Sequence, residues 1–181
     1  MKLPRPRSAP KRRLTKKAIH TTKGGSLREA AKGFVVVTDT REQVPWDLAP
    51  FCQERGTLDT GDYGLRQMPG LLCLERKGGG LGDLMACIGR ERERFERELL
   101  RMQGFRFKFV IVEGSWQDLC TGSYRSHVPP AAAMGTIAKW QVEWGIPFLF
   151  CDSRGAAEAM AIRLLVQACR YHGPPTACAP K

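Results

Sequence analysis

Apolar residues along the chain form short continuous runs that alternate with longer segments of helical period. Short runs of β-branched and aromatic residues predict buried strands, and the periodic segments predict helices. The strands are predicted at residues 34–38, 107–113 and 148–150, with a hairpin that joins 63–66 to 71–75. The helices are predicted at residues 81–102, 130–144 and 156–171. Because strands alternate with helices, we expect an α/β fold in which α-helices flank a mixed β-sheet.

The predicted hairpin brings three chemically useful side chains together. Its turn is marked by the dipeptide Pro69-Gly70. If the turn is centred immediately before this proline, Asp62 lies directly opposite Glu75, and the Cβ atoms of such paired residues are about 4.5–5.5 Å apart. Lys77 lies two residues beyond Glu75 and therefore points to the same face of the strand, although a register shift of one residue would separate the three side chains. Two carboxylates and an amine at one end of a hairpin can hold a divalent metal ion and orient a water molecule.

The helix predicted at residues 81–102 has two opposite faces. Its apolar face is formed by Leu81, Leu84, Ile88, Phe95, Leu99 and Met102. A second sector carries a row of arginines, namely Arg90, Arg94, Arg97 and Arg101. Two interpretations stay open for this row. It is either a solvated face with intrahelical ion pairs or a surface that contacts phosphates. Residues 123–130 further along the chain are predicted to be a loop. It is either a plain loop, which is favoured, or one in which Arg125, Ser126 and His127 contact substrate.

Positive charge is concentrated at the N-terminus. The chain has a net charge of +11, and residues 1–32 hold eleven Lys or Arg and one acid. The segment is also rich in Pro and Gly. We therefore expect a disordered cationic arm at residues 1–32, a folded domain at 33–172 and a loose tail at 173–181. Such an arm either binds nucleic acid without reading its sequence or serves as a solubilising or targeting segment. The cations of the arm expected to contact DNA are Lys11, Arg12, Arg13, Lys16 and Lys17.

Composition argues against several classes of protein. No run of 18 apolar residues is present, so no membrane span is expected. The basic N-terminus is not typical of a secretory signal. The seven cysteines include no Cys-x-x-Cys pair and no nearby histidine partner, which argues against a zinc site and against a disulfide framework. A reducing cytoplasm is the compartment that this cysteine usage favours.

Acidic side chains lie near the ends of the predicted strands, and one begins the long helix. They are Asp39, Glu42, Asp62, Glu75 and Asp83. Hard oxygen ligands of this kind favour Mg²⁺ or Mn²⁺ over zinc. Such an ion polarises a phosphoryl oxygen and lowers the pKa of a bound water. Lys77 can then orient that water or stabilise charge on the transition state.

Three motifs in this order resemble the XPF-type nuclease domain of the PD-(D/E)XK superfamily. They are Val37-Thr38-Asp39-Thr40-Arg41-Glu42, Gly61-Asp62-Tyr63 and Glu75-Arg76-Lys77, with Asp83 after them. The pairs Gly89-Arg90 and Glu113-Gly114 are similar to later parts of the same pattern. Five residues separate Lys77 from Asp83, whereas the family pattern has three. The resemblance implies a restriction-endonuclease-like fold and a structure-selective DNA endonuclease that needs a divalent metal ion.

The resemblance also implies a role for individual residues. Asp62 and Glu75 would be metal ligands together with Asp39, and the longer spacing makes Asp83 the least certain ligand. Lys77 would be the catalytic lysine, and Asp39, Arg41 and Glu42 would complete the catalytic set. The arginines expected to contact DNA are Arg76, Arg90, Arg94, Arg97 and Arg101.

The expected function is therefore cleavage of branched or flapped DNA with Mg²⁺ or Mn²⁺ as cofactor, in a possible homodimer that does not bind membranes. Compact single-domain proteins of this type resemble those of phages and prophages, so the expected location is the cytoplasm of a bacterial or phage-infected cell. The first alternative is a non-catalytic DNA-binding subunit with the same fold. The second is a basic RNA-binding or packaging protein, although the folded part of such a protein would carry more positive charge.

Overall fold

A computed structural model describes residues 27–172 of the 181-residue chain. Its strands are β1 Val35–Asp39, β2 Cys52–Gly56, β3 Tyr63–Leu65, β4 Leu72–Lys77, β5 Phe107–Val112 and β6 Phe148–Phe150. Its helices are α1 Leu27–Ala31, α2 Gly82–Ile88, α3 Arg92–Met102, α4 Trp116–Thr121, α5 Pro130–Trp144 and α6 Arg154–His172. The predicted arm cations at positions 11–17 and the predicted tail at 173–181 lie outside the described residues. None of the described helices is both long and apolar enough to cross a membrane.

The six strands form one mixed sheet in the order β2-β1-β3-β4-β5-β6. Strand β3 runs antiparallel to both β1 and β4, whereas the other three neighbouring pairs are parallel. The carboxyl ends of β1, β4 and β5 therefore meet at the same edge of the sheet as the amino end of β3. The predicted mixed α/β sheet is confirmed, and this edge is where the predicted site residues converge.

Helices cover both faces of the sheet because its central strands bury side chains on both sides. On one face, Leu72, Leu74 and Ile111 pack with α1 and α6. On the other face, Cys73 and Val110 pack with α2, α3, α4 and α5. Successive strand residues point to opposite faces, so neighbouring positions of β4 enter different cores.

The predicted hairpin register is confirmed. Tyr63 pairs with Leu74, which places the preceding residue, Asp62, opposite Glu75. The turn is closed by hydrogen bonds from the Met68 N–H to the Leu65 carbonyl at 3.2 Å and from the Leu71 N–H to the Met68 carbonyl at 3.1 Å.

The prediction of a single helix at residues 81–102 is wrong, because two helices occupy this segment. The first helix ends at Gly89, and the Glu91 N–H donates to the Ala86 carbonyl five residues back at 2.9 Å. All six residues of the predicted apolar face are nevertheless buried. The break therefore keeps the apolar side of both helices on the same core.

Three elements were not predicted. Helix α1 lies inside the segment predicted as a disordered arm, and its Leu27 and Ala31 are buried against α6. The folded domain thus extends at least to Leu27. Strand β2 is largely polar and lies at the edge of the sheet, where alternation of apolar residues is not required. Helix α4 has only six residues, and Ser115 caps it by accepting a hydrogen bond from the Asp118 N–H at 3.3 Å.

Candidate active site

The end of strand β4 sends consecutive side chains to opposite faces of the sheet. Glu75 and Lys77 share the face of Cys73 and α3, whereas Arg76 shares the face of Leu74. This follows from the two-residue period of a strand. The Lys77 ammonium consequently lies 4.4 Å from the centre of the Phe95 ring on α3, and the Arg76 guanidinium lies 5.9 Å from the centre of the Trp46 ring. One tripeptide thus supplies two different functional environments.

Asp62 is fixed beside Glu75 by the backbone of the hairpin. Its Oδ2 accepts a hydrogen bond from the Arg76 N–H at 2.7 Å, and its own N–H donates to the Leu74 carbonyl at 2.9 Å. Burial, followed by the negative charge of Glu75, raises the pKa of Asp62 to about 8. The two carboxylates therefore repel each other, and the pair favours a proton or a cation between them.

Lys77 forms a buried ion pair with Glu75. Its Nζ donates to Oε1 of Glu75 at 2.6 Å, and both side chains are almost completely buried. Burial alone would lower the pKa of Lys77, but the adjacent Glu75 carboxylate holds it above its ordinary value. The ion pair with Glu75 therefore favours the protonated form of Lys77 at neutral pH.

The side chain of Arg76 is largely buried and is engaged by acidic partners. Its guanidinium donates to Oε1 of Glu42 at 3.0 Å and to Oε1 of Glu113 at 2.8 Å. The side chains of all three residues are at most 11% exposed. The indole N–H of Trp46 completes the cluster by donating to Glu113 at 2.7 Å. Two carboxylates therefore engage the guanidinium nitrogens of Arg76, and its contact with DNA stays a prediction.

The Asp39 carboxylate accepts hydrogen bonds from neighbouring loops and does not line the cleft. Its two carboxylate oxygens accept hydrogen bonds from the Arg41 N–H at 2.8 Å, the Arg41 Nε at 2.7 Å and the Leu58 N–H at 2.8 Å. Burial alone would raise the pKa of Asp39, but the hydrogen bonds from Arg41 and Leu58 hold it below its ordinary value. These bonds clamp two loops together and position Arg41 at the rim, and the metal-ligand role of Asp39 stays a prediction.

An open cleft of about 430 Å³ lies over this edge of the sheet. Most residues of the predicted catalytic set line it, together with one arginine of α3. They are Arg41, Glu42, Asp62, Glu75, Arg76, Lys77, Asp83 and Arg94. Asp39 does not line the cleft. The structure thus brings together residues that are up to 53 positions apart in the chain.

Asp83 reaches the cleft in spite of the long glycine linker. Its Oδ2 accepts a hydrogen bond from the Gly78 N–H at 3.1 Å, so the carboxylate closes the linker back onto the end of β4. Gly79 and Gly80 both have positive φ, at 62° and 73°, which glycine adopts without steric cost. The extra residues are therefore absorbed in a compact turn.

The predicted arginine row is divided by the helix break. Arg94 pairs with Glu91 and Arg101 pairs with Glu98. Arg90 lies in the break, where its Nε is 3.5 Å from Glu91. Arg97 is exposed on α3. Ion pairs therefore involve Arg90, Arg94 and Arg101, and of the four arginines in the row only Arg94 lines the cleft. Contact of the row with phosphates stays a prediction.

The loop before Asp62 is held by helix α3. The Gly61 N–H donates to Oε1 of Glu98 at 2.9 Å, and Nε of Arg101 donates to Oγ1 of Thr60 at 3.0 Å. Gly61 has a φ of 75°, and a Cβ at this position would overlap the Sγ of Cys73. Only glycine satisfies both the backbone conformation and the close approach. The position of Asp62 thus depends on Gly61 and on two side chains of α3, Glu98 and Arg101, none of which lines the cleft.

The oxygen ligands present fit Mg²⁺ or Mn²⁺ held by few protein groups. Among residues 27–172, no group of three or more His, Cys, Asp or Glu surrounds a common metal position. Asp62 and Glu75 supply two carboxylates, and Mg²⁺ in phosphoryl-transfer sites is commonly bound by one or two carboxylates with water and substrate phosphate. The repulsion that raises the pKa of Asp62 is the feature that a cation would relieve.

Glu113 and Trp46 are site residues that the sequence analysis did not assign. Glu113 follows β5 directly, and β5 pairs in parallel with β4 so that Lys77 lies beside Val112. Alternation along both strands would have placed Glu113 on the same face as Arg76. The loop residue Trp46 carried no such signal, because its position depends on stacking against Tyr63 at a ring separation of 4.8 Å.

Comparison with known proteins adds a family and a fold. The family model of the ERCC4 domain matches residues 38–161. Two similar solved structures are XPF from Aeropyrum pernix and XPF from Aeropyrum pernix in complex with DNA. Each is 20% identical to this chain with a TM-score of 0.55, and the alignments cover 74% and 76% of this chain. They cover 63% and 66% of those proteins, so the chain spans less than two thirds of either. A search of curated proteins gave no significant match.

Proposed function

The chain belongs to the ERCC4 domain family, and from this premise we propose that it is a divalent-metal-dependent endonuclease that hydrolyses phosphodiester bonds in branched or flapped DNA. One observation carries the proposal. Two carboxylates, Asp62 and Glu75, converge in an open cleft with a permanently charged lysine, Lys77. The fold shared with a DNA-bound XPF from Aeropyrum pernix supports DNA as the ligand.

Each residue of the trio has a separate task. Asp62 and Glu75 would hold Mg²⁺ or Mn²⁺. When bound, such an ion polarises the phosphoryl oxygen and lowers the pKa of a water. Lys77 remains protonated, so it stabilises negative charge that develops on the phosphate and does not remove a proton. The ion pair between Lys77 and Glu75 also fixes the direction of both side chains.

The surrounding residues position this trio and the substrate. Arg76 donates its backbone N–H to Asp62 and its guanidinium to Glu42 and Glu113. It therefore connects the Asp62 carboxylate to a buried ionic cluster. Arg41 has a side chain that is 70% exposed and is held at the cleft rim by Asp39. In this proposal Arg41 would contact a phosphate of the DNA.

A cleavage assay with matched variants tests the proposal. The full-length protein is incubated with labelled flap, fork, four-way junction and plain duplex DNA, each with Mg²⁺, Mn²⁺ or EDTA. Cleavage is expected for a branched or flapped substrate in the presence of either metal ion. Asp62→Asn and Glu75→Gln are expected to lower the rate by at least about 100-fold, as for loss of a group that stabilises transition-state charge. Glu143→Gln removes an exposed carboxylate on α5 and serves as the control.

Two results would contradict the proposal. Cleavage that survives both Asp62→Asn and Glu75→Gln would show that the cleft is not the active site. Tight binding of branched DNA without cleavage under any metal ion would favour the non-catalytic DNA-binding subunit. The homodimer and the cytoplasmic location stay predictions.

A further inference from the structure

A second cavity, of about 500 Å³, borders helix α2 next to the candidate active site. Helix α2 contributes Asp83 to the active-site cleft and Ala86 to the second cavity. The other wall of the second cavity is the loop of residues 125–128, for which the sequence favoured a plain loop over substrate contact. The two depressions are therefore built on the same short helix.

Positive charge dominates the second cavity. Arg90, Arg125, Ser126 and His127 are among its lining residues, and no acidic residue is. Arg125 forms no ion pair with any residue between 27 and 172. The side chain of Arg90 is 81% exposed and its nearest carboxylate, that of Glu91, is at 3.5 Å. Arg125 is thus available to an external anion, and Arg90, whose ion pair with Glu91 is long and exposed, can exchange that partner for one.

The loop that carries Arg125 is fixed to the domain. The Tyr124 hydroxyl donates to the Val128 carbonyl at 2.8 Å, and the Val128 N–H donates to Oγ of Ser126 at 3.2 Å. Tyr124 and Val128 pack against the core on the α2–α5 side of the sheet. Their inward packing leaves Arg125 and His127 on the exposed side of the loop. The charge is therefore held in one place at little further entropic cost on binding.

A depression lined by four arginines and by Glu91 and Glu93 lies between the second cavity and the cleft. Arg94 lines the cleft and also a shallow depression that Arg90 shares. Arg90 in turn lines the second cavity with Arg125. On the opposite side of Arg125 the neighbouring depression is bordered by Asp118 and Asp152. Negative charge there would direct a polyanion toward the Arg90 side.

We infer that Arg90 and Arg125 bind phosphates of the DNA backbone where an arm of the substrate leaves the cleft. The ligand class is a phosphodiester chain, because the site offers guanidinium groups spaced along a surface rather than an enclosed pocket for a small molecule. The choice of DNA as this chain rests on the proposed function. The two residues act as binding residues and take no part in bond cleavage.

Binding measured as a function of salt tests this inference without any cleavage. The full-length protein is titrated with fluorescent flap DNA in EDTA at several salt concentrations. The slope of the logarithm of the association constant against the logarithm of the salt concentration is negative, and removing two phosphate contacts should reduce its magnitude by about 1.8. Arg90→Gln combined with Arg125→Gln is expected to show this change and to bind about tenfold more weakly at moderate salt. Arg66→Gln combined with Lys139→Gln removes the same charge from exposed sites outside both cavities, and its slope should match the wild type.

The outcomes separate this inference from the proposed nuclease activity. An unchanged slope and affinity in the Arg90/Arg125 double variant would overturn the inference, even if the wild type cleaves DNA. An equal loss in the Arg66/Lys139 control would overturn it too, because the effect would then be one of net charge. A reduced slope in the Arg90/Arg125 variant alone supports the inference, even if the wild type never cleaves DNA. A wild type that binds in this way but never cleaves DNA would contradict the proposed nuclease activity alone.

Discussion

Replacing Arg76 by Leu would leave two carboxylates in the interior without their cation. The guanidinium donates to both Glu42 and Glu113, and the Arg76 side chain is only 11% exposed. Removing one partner of a buried ion pair costs about 3–5 kcal/mol, because the remaining charges lie in a poorly solvated position. Natural domains are stable by about 5–15 kcal/mol, so Arg76→Leu should remove a large part of the total.

Equilibrium unfolding in urea, followed by tryptophan fluorescence, measures this loss. Trp46 is a useful reporter because its indole donates to Glu113 and stacks on Tyr63. With an m-value of about 2 kcal/mol/M, the midpoint should fall by about 1.5–2.5 M urea. Arg66→Leu is the matched control, since Arg66 pairs with Glu54 but its side chain is 61% exposed. The control should lose less than about 1 kcal/mol.

The pH dependence gives a second check on the same reasoning. Burial alone would raise the pKa of Glu113, but hydrogen bonds from Arg76 and Trp46 hold it below its ordinary value. Glu113 therefore stabilises the wild type above the carboxylate pKa of the unfolded chain, and this contribution is lost as the pH falls. The difference between wild type and Arg76→Leu should shrink between neutral pH and pH 4. Adding Glu113→Gln to Arg76→Leu should restore about 1–2 kcal/mol at neutral pH.

The account of Arg76 is refuted by either of two results. One is a loss below about 1 kcal/mol in Arg76→Leu at neutral pH, which would place the cluster among weak surface pairs. The other is a loss that does not change with pH and is not relieved by Glu113→Gln. That combination would attribute the effect to packing of the arginine side chain rather than to its charge.

Two further predictions concern the neighbourhood of Asp62. Gly61→Ala should lower the free energy of unfolding by about 2–5 kcal/mol, because the positive φ is unfavourable for alanine and the added methyl overlaps Cys73. The control Gly70→Ala, with a φ of 81° and nothing within 4 Å of the new Cβ, should lower it by only about 1–2 kcal/mol. Equal losses of stability in urea unfolding would contradict the overlap with Cys73. In EDTA the melting temperature should fall as the pH rises from about 4 to 8, because the raised pKa of Asp62 means that the folded state holds a proton that the unfolded state has lost. Asp62→Asn should reduce this dependence of the melting temperature on pH, and Mg²⁺ should stabilise the wild type more at pH 8 than at pH 6. A pH dependence that persists in Asp62→Asn would assign the effect to another group.

Local rules are sufficient for the hairpin and for the long regular elements. The turn at Pro69-Gly70 and the two-residue period of strands are enough to place Asp62, Glu75 and Lys77 together. Helix α5 begins and ends at the residues predicted, since Pro130 stands in its first turn and Gly145 follows its end with a φ of 61°. These features depend on neighbours in sequence, and local geometry is therefore enough to predict them.

The hydrogen-bond partners of Asp39 and Arg76 cannot be predicted from local sequence patterns. Motif position suggests a metal ligand and a DNA contact. It does not reveal that Asp39 accepts a hydrogen bond from Leu58 or that Arg76 donates to Glu113, partners 19 and 37 residues away. Such pairings depend on how loops cross the edge of the sheet. The break at Gly89 likewise keeps the apolar period intact, so periodicity alone could not reveal it.

The sequence by itself determined the family pattern, the mixed α/β architecture and the register of the hairpin that carries the three central side chains. These follow from periodicity, turn chemistry and motif order, which act over a few residues at a time. Only the tertiary structure decided which charges face the cleft and which are neutralised inside the domain. A carboxylate or guanidinium takes its role from burial and from partners that the fold brings near it, and neither property can be read from the residue type alone.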